Sequence, residues 1–353
     1  MLQKLSIVTG VTVIFGIALW LVQGNFFSTG GQKKNAAILA NLDTEKLSEI
    51  LIQKDDTEKV ELVRGANQQW VVKDLNYEAN AKKIQELLLQ VLDVKLGEQV
   101  TDKAKHHARF HLLHFKENNN QWEEEKTGKL LILKNAGGEP LLELLLGKSR
   151  SEKQGFKTGN YIRYADKPEV FLITENIDAD TDSKEWLNLN IIDWDGDEVI
   201  KSVELKNGDD VFRFVHEKKE EEWKAEGLEE KISQNAVKSL GNALKGLNFD
   251  IFIPADTPAE ETGRENLVQY TAESYDGRIV RVLVGDKEIE SEGKHHYLSV
   301  EMALKDGVAD EKLQAEVEEF NLRSKPWLYG LHSWMGKRFL KVRSDLLAED
   351  KEK

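Results

Sequence analysis

The sequence predicts an α+β protein: an N-terminal transmembrane helix, then two tandem repeats of a mainly antiparallel sheet, each covered by a helix. Three observations predict it. An uncharged apolar run opens the chain, strand-like and helix-like segments then follow in a set order, and that order occurs twice at a nearly constant offset.

At 353 residues the chain exceeds what one core usually supports. Hydrophobic residues make up 40% of it and include eight Trp, enough apolar volume for two ordinary cores. Lys and Arg number 49 against 63 Asp and Glu, a net charge of −14. Nucleic-acid binding relies on cations that neutralise phosphates, so this balance argues against it. It also argues against a bulk surface lying on anionic lipid. The chain has no Cys, which excludes disulfides, thiol nucleophiles and cysteine-ligated metal sites.

The residues from Leu5 to Val22 carry no charge and include Ile7, Val8, Val11, Val13, Ile14, Phe15, Ile17, Leu19, Trp20 and Leu21. As a helix they span about 27 Å, close to the hydrocarbon thickness of a bilayer. Trp20, Phe26 and Phe27 fall where an interfacial aromatic belt lies. A cleaved signal peptide, with Lys4 as its basic end and a cut after Gly24, is the competing reading. The apolar run is longer than the roughly 7–15 residues usual in such peptides, so a retained anchor over 1–24 is expected. The positive charges on either side, Lys4 against Lys33 and Lys34, nearly balance. A very short tail before a large domain usually stays cytoplasmic, which places the bulk of the chain in the periplasm, tethered to the inner membrane. Residues 25–44, with Ser28, Thr29, Gly30 and Gly31, read as a flexible linker.

The repeat begins with tryptophan. Trp70 follows the strand-like runs Ile50–Gln53 and Val60–Arg64, and Trp223 follows Val199–Leu205 and Val211–Val215. The two are 223 minus 70, or 153, residues apart. Asn80 and Ser233, both good N-cap residues, keep the same offset. Ile84, Leu87, Val91 and Val94 then fall opposite Val237, Leu240, Leu244 and Leu247, spacings that line one face of an amphipathic helix. At a slightly shorter offset, Leu144–Lys148 (LLLGK) pairs with Val282–Asp286 (VLVGD), and Tyr161–Tyr164 pairs with Tyr297–Val300. Lys184–Leu187 (KEWL) pairs with Lys325–Leu328 (KPWL), each followed by a second Trp, Trp194 or Trp334. Trp70, Trp223, Trp186, Trp327, Leu87 and Leu240 are therefore the expected repeat core. The first repeat is assigned to 45–195 and the second to 196–348. The second carries an extra helix over Glu311–Leu322 and a final helix from a Ser333 cap through Phe339, Leu340 and Leu346. Residues 349–353 form a charged tail.

Chemistry is harder to find. His106, His107, His111 and His114 cluster, and His107 with His111 has the i, i+4 spacing of a helical zinc pair. No acidic residue stands among them to complete a site, so a solvated helix end or turn is the plain reading and no metal is expected. Asp178, Asp180 and Asp182 open like a calcium loop, but Ser183 and Leu189 occupy the positions that need Gly and Glu. Asp193, Asp195 and Asp197 around Gly196 read as turn chemistry. Gly147-Lys148-Ser149 ends like a phosphate loop, yet Leu142 stands where its first Gly belongs. His216-Glu217 starts a metalloprotease string that fails at Glu220. The carboxylates of Glu123–Glu125 and Glu220–Glu222 read as solvated loops. With no Gly-x-Ser-x-Gly elbow either, neither catalytic nor cofactor-binding residues are expected.

The repeated order of paired strands, Trp strand, capped helix, Leu-Gly-Lys strand and Tyr-Ile-Arg strand resembles the family known as domain of unknown function 4340, once per copy over about 45–345. Members of that family resemble accessory components of gliding-motility-type ABC transport systems. The resemblance implies an ATPase, a permease and a larger auxiliary membrane subunit as partners, and carries over no catalytic residue. The expected function is a non-catalytic, membrane-anchored accessory subunit of such a complex. The alternative is an envelope polymer- or lipid-binding module independent of a transporter, whose duplication would raise avidity. A metal-dependent hydrolase built on the histidines ranks last.

Overall fold

A computed structural model describes residues 44–348 of the protein apart from 66–67, 151–158, 217, 220 and 292. The expected anchor at 1–24, all of the 25–44 linker except its last residue, and the 349–353 tail lie outside the described residues. Among the described residues no helix is long and apolar enough to cross a membrane.

The first unit runs β1 (Leu47–Gln53), β2 (Lys59–Arg64), β3 (Trp70–Val72), β4 (Tyr77–Glu78), α1 (Ala81–Asp93), β5 (Gln99–Thr101), β6 (Lys129–Asn135), β7 (Pro140–Arg150), β8 (Gly159–Tyr164) and β9 (Val170–Ile173). The second runs β10 (Asn190–Ile192), β11 (Ile200–Asn207), β12 (Asp210–Val215), β13 (Lys224–Glu226), α2 (Gln234–Gly241), β14 (Leu247–Asn248) and β15 (Ile251–Phe252). It continues with α3 (Ala259–Thr262), β16 (Leu267–Ser274), β17 (Arg278–Glu290), β18 (Lys294–Leu304), α4 (Glu311–Ser324), β19 (Tyr329–His332), α5 (Ser333–Gly336) and α6 (Arg343–Leu346). The nine-stranded sheet has the order β4-β3-β2-β1-β6-β7-β8-β9-β5, and the eight-stranded sheet β13-β12-β11-β16-β17-β18-β19-β15. Without β4 the two orders coincide strand for strand. The fold is α+β, mostly antiparallel, and duplicated in topology.

Local chemistry repeats with it. Asn80 caps α1 by accepting from the Lys83 amide (3.1 Å), and α1 buries Ile84, Leu87 and Val91. Ser233 holds the same place before α2 without a side-chain bond. α2 is shorter than the sequence suggests: Leu244 and Leu247 continue the buried face from a turn and from β14 rather than from the helix. Trp70 and Trp223 stand at equivalent register positions. Trp70 pairs with Arg64 on β2, whose guanidinium lies 4.8 Å from the ring centroid. Trp223 falls opposite His216, one step beyond the Val215–Lys224 pair, with ring centroids 3.7 Å apart.

The match between β7 and β17 has a steric cause. Each strand breaks register across its glycine, between Leu146 and Ser149 and between Val284 and Glu288. Over each glycine a short helical turn ends on a left-handed residue, His111 (φ 56°) after Phe110 and Gly263 (φ 71°) after Thr262. A Cβ on Gly147 would run into the Phe110 carbonyl oxygen, and one on Gly285 into that of Thr262. Only glycine lets the two layers approach this closely.

Two expected correspondences are corrected. Trp186 ends a 3-10 turn (Ser183–Trp186) and is fully buried, its carbonyl accepting from the Asn80 amide (2.7 Å). In the second unit the Ser233 amide bonds Leu346 O (2.9 Å), and the bridge Ala79↔Leu187 is matched by Ile232↔Leu347. The counterpart of Trp186 is thus Leu346, not Trp327. Trp327 instead precedes β19 and packs half-buried at the junction of the units. Trp194 and Trp334 also differ, one 7% and the other 55% exposed. The final helix from Ser333 is two four-residue turns, α5 and α6, whereas the inserted helix appears as α4.

One core joins the units. Tyr77 on β4 meets Phe249, Phe252, Trp327 and Tyr329 edge-on at centroid distances of 5.5, 5.0, 5.4 and 6.5 Å, and its hydroxyl lies 3.4 Å from that of Tyr329. Arg323 on α4 donates to Glu78 Oε2 (3.0 Å) and to Ile191 O (2.9 Å). β10 pairs with β14, so the chain segment around 190 is built into the second unit.

The paired glycines make a test of the duplication. Gly147→Ala and Gly285→Ala should each cost about 1–3 kcal/mol in urea unfolding, the usual range for overpacking. Gly137→Ala, in an open turn, should stay within about 0.5 kcal/mol. Equal stability of all three variants would refute the close approach.

Candidate functional site

The two units differ most at the edge beside the repeated tryptophan. In the first, the chain turns back after β3 and adds β4, so Val71 pairs with Glu78 and the Ala79 amide reaches Trp70 O (2.8 Å). In the second, residues 227–231 form no ladder with β13. The Gln234 carboxamide bonds the backbone of Trp223 instead, accepting from its N–H (3.0 Å) and donating to its C=O (2.7 Å). Those bonds show that the Trp223 peptide groups face the free side of the strand. By the two-residue alternation of a strand, the N–H and C=O of Ala225 face that side as well.

A cavity of about 490 Å³ opens between this edge, the 195–198 loop and the first turns of α2. The loop is pinned to the end of α2 by Gly196 N–H donating to Asn242 Oδ1 (3.0 Å). Gly241 leaves room for the Trp223 ring, which forms part of the cavity wall and is only 3% exposed. Five carboxylates line the space: Asp195, Asp197, Glu198, Glu221 and Glu222. Asp195 pairs with Lys245 (2.5 Å), which holds its carboxyl below the usual range, and Asp197 pairs with Lys238 (2.6 Å). Glu198, Glu221 and Glu222 have no cationic partner among the described residues. The indole N–H of Trp223 and the hydroxyl of Tyr275 are buried with no acceptor among the described residues. Burial raises the Tyr275 hydroxyl above its ordinary value, and neighbouring Glu221 adds to this. Burial also pushes the His216 imidazole below 6.5, against the pull of the Lys218 backbone and Asp197.

Chemically this is a small acidic recess with buried donors beside it and an unpaired strand edge next to it. It suits a ligand that brings a cation and carbonyl acceptors together. A smaller groove of about 310 Å³ where the units meet differs in kind. Its amides satisfy each other and their neighbours, Asn190 with Asn248 (3.2 Å) and Asn188 with Glu78 (2.9 Å).

The histidine cluster takes structural roles. His106 Nδ1 meets Thr101 Oγ1 (3.0 Å), and His107 Nε2–H donates to Pro168 O (3.0 Å). His114 caps a turn by accepting from the Lys116 amide. His107 and His111 do not form a helical i, i+4 pair, because Ala104–Phe110 is a 3-10 turn with three residues per turn and His111 is its left-handed cap. Among the described residues no group of three or more His, Asp or Glu is placed to hold a metal. Asp182 caps the turn that ends in Trp186, accepting from the Lys184 amide (2.9 Å). Asp195, Asp197, Glu221 and Glu222, which looked like solvated turns and loops, are the ones the fold brings together. Sequence reading also passed over His295 and His296. His295 meets Asp250 (3.3 Å), and His296 Nδ1–H donates to Gly285 O (3.1 Å). Nearby, Ser333, Lys337 and Lys294 hold the Glu288 carboxyl down at about 2 and tie the β17–β18 hairpin to α5.

The family described as domain of unknown function (DUF4340) matches residues 70–266, more than half of the chain and spanning parts of both units. No curated protein and no solved structure matches.

The buried imidazoles set an acid-side sensitivity. Burial lowers His216, and likewise His111, His114 and His296, so each binds fewer protons folded than unfolded. Their contribution is fully present above the unfolded value of 6.5 and is lost as pH falls below it, towards the lowered folded values. The urea midpoint should therefore drop between about pH 7.5 and about pH 5.5. His216→Phe should shrink that drop without abolishing it. An unchanged drop would show that His216 titrates freely in the folded chain.

Proposed function

Because the chain belongs to the DUF4340 family, we propose that it is a non-catalytic, membrane-anchored accessory subunit of an ABC-type transport complex, acting through protein–protein contacts in the periplasm. The observation that carries this reading is the asymmetry between the copies. The first unit closes its tryptophan edge with its own strand, and among the described residues the second leaves the same edge and an acidic recess open. An open strand edge is a surface for pairing with another chain. The apolar run at residues 5–22 supports an anchor in the inner membrane, and the family resemblance supports a permease, an ATPase and a larger auxiliary membrane subunit as partners.

The polymer- or lipid-binding alternative calls for an apolar groove between the copies. The groove there is lined by four Asn, Lys184 and Glu185 with only Leu187 and Leu189 apolar, so it is not the large apolar groove that reading calls for.

Mild-detergent purification of the intact chain from its native membrane tests the proposal. An ATPase and a permease should be recovered in constant ratio to it. Recovery of the chain alone, under conditions that keep other membrane complexes whole, refutes the proposal.

A further inference from the structure

We infer that the edge of β13 and the recess beside it form one docking site for an extended, basic segment of a partner protein, which pairs with β13 as an added strand and places a Lys or Arg side chain among Glu198, Glu221 and Glu222.

Three independent observations meet here. The first is the vacant strand position. In the first unit β4 fills the place beside β3, and the sheets otherwise agree strand for strand, so among the described residues the second sheet lacks one strand at a defined position. Ala225 offers its N–H and C=O there, two residues beyond the Trp223 groups that Gln234 occupies. The second is charge. Two of the five carboxylates are matched by Lys238 and Lys245, and three remain without cations among the described residues. A partner cation with N–H donors completes them by charge-assisted hydrogen bonds. The third is Trp223, whose ring forms part of the recess wall and whose indole N–H is buried with no acceptor among the described residues. An unpaired buried donor costs stability, so the chain alone leaves this corner of the fold incompletely satisfied. In the first unit the chain itself provides the cation at the corresponding tryptophan, Arg64 over Trp70. His216 replaces it in the second, and the incoming segment restores what the duplication lost.

The volume agrees with this occupant. About 490 Å³ holds one long side chain with its neighbouring backbone, and it is too small for a folded element. Alternation along an added strand then places every second side chain towards the recess, so a segment with basic residues at alternate positions fits best.

The test uses the full chain in detergent and a short acetylated peptide of alternating valine and arginine as probe. Its comparators are the valine–glutamate peptide and spermidine. Calorimetry should show the arginine peptide binding and the glutamate peptide not binding. The triple variant Glu198→Gln, Glu221→Gln, Glu222→Gln changes exposed or half-exposed groups and keeps the fold; it should weaken binding about tenfold or more. Ala225→Pro removes one edge N–H, which an edge strand tolerates, and should also weaken the peptide while leaving spermidine unaffected. Failure of the arginine peptide to bind, or equal affinity in the triple variant, overturns the site. Spermidine as tight as the peptide, with no effect of Ala225→Pro, overturns strand pairing and leaves only a small-cation recess. The inference rests on the proposed protein-contact role, but the two fail separately. A chain that recovers no permease refutes that role, whereas unchanged peptide affinity in the triple variant refutes this site alone.

Discussion

The packing of Tyr77 against Phe249, Phe252, Trp327 and Tyr329 is the contact on which the arrangement of the molecule depends. Each aromatic pair of this kind contributes about 0.5–1.5 kcal/mol beyond the area it buries. Here one ring from the first unit sits among four from the second. The effect is that the largest core is shared by the two copies, while smaller clusters around Phe110, Leu112 and Tyr161 and around Val94, Ile162 and Ile173 stay within the first. A single buried cluster runs from Leu47 in β1 to Leu346 in α6. Arg323 reinforces the same junction, its guanidinium shared between Glu78 of the first unit and Ile191 O at the start of the second.

This contact explains why the copies are unequal. Tyr77 and Glu78 constitute β4, so the strand that the first unit adds to its sheet is also the strand that docks the second unit. The second unit has no third copy to meet among the described residues. At the place of Tyr77, counted at the repeat offset, stands Glu230, paired with Arg343 in the open. With no aromatic there to bury, the returning chain has nothing to hold it against β13, and the strand does not form. End units of repeat arrays face this same problem of an unmatched surface. Here the surface is left charged.

How much of this the sequence disclosed follows from what each signal encodes. Trp70 and Trp223, Asn80, and Gly147 and Gly285 were legible because each position uses a particular side chain: a large ring, a cap or the absence of a Cβ; Ser233 kept the offset without making the capping bond. The pairing of Trp186 with Trp327 misled because two similar tetrapeptides do different work. The true equivalence, Trp186 with Leu346, lies in backbone bonds to Asn80 and Ser233, which any residue can make. α2 was overestimated because Leu244 and Leu247 keep a helical spacing while reaching the core from a turn and a strand. The histidines misled for a related reason: i, i+4 spacing juxtaposes side chains only on an α-helix, and the local backbone is 3-10. The recess was invisible because its carboxylates come from segments more than twenty residues apart, each ordinary for a solvated loop. A closer reading of the duplication held one clue: the first copy places Tyr77-Glu78 before its helix cap, and the second places Glu230-Lys231.

Charge at a sheet edge has a second physical meaning, since edge strands are commonly guarded by charged side chains that discourage aggregation. That role accounts for Lys224 and Glu226, which project from β13 itself and are exposed. It does not account for Asp195, Asp197 and Glu198. They belong to a loop ahead of β11 that the Gly196–Asn242 bond draws in over α2. A guard against pairing needs charge on the edge strand, not a separate loop fastened in place to bring like charges together. Like charges gathered this way repel one another, and Lys238 and Lys245 relieve only part of that repulsion. Beside them lies a buried indole N–H that no acceptor meets. The repulsion is relieved by the arrival of a cation, and the open edge of β13 is filled by the backbone that carries it. Edge protection does neither.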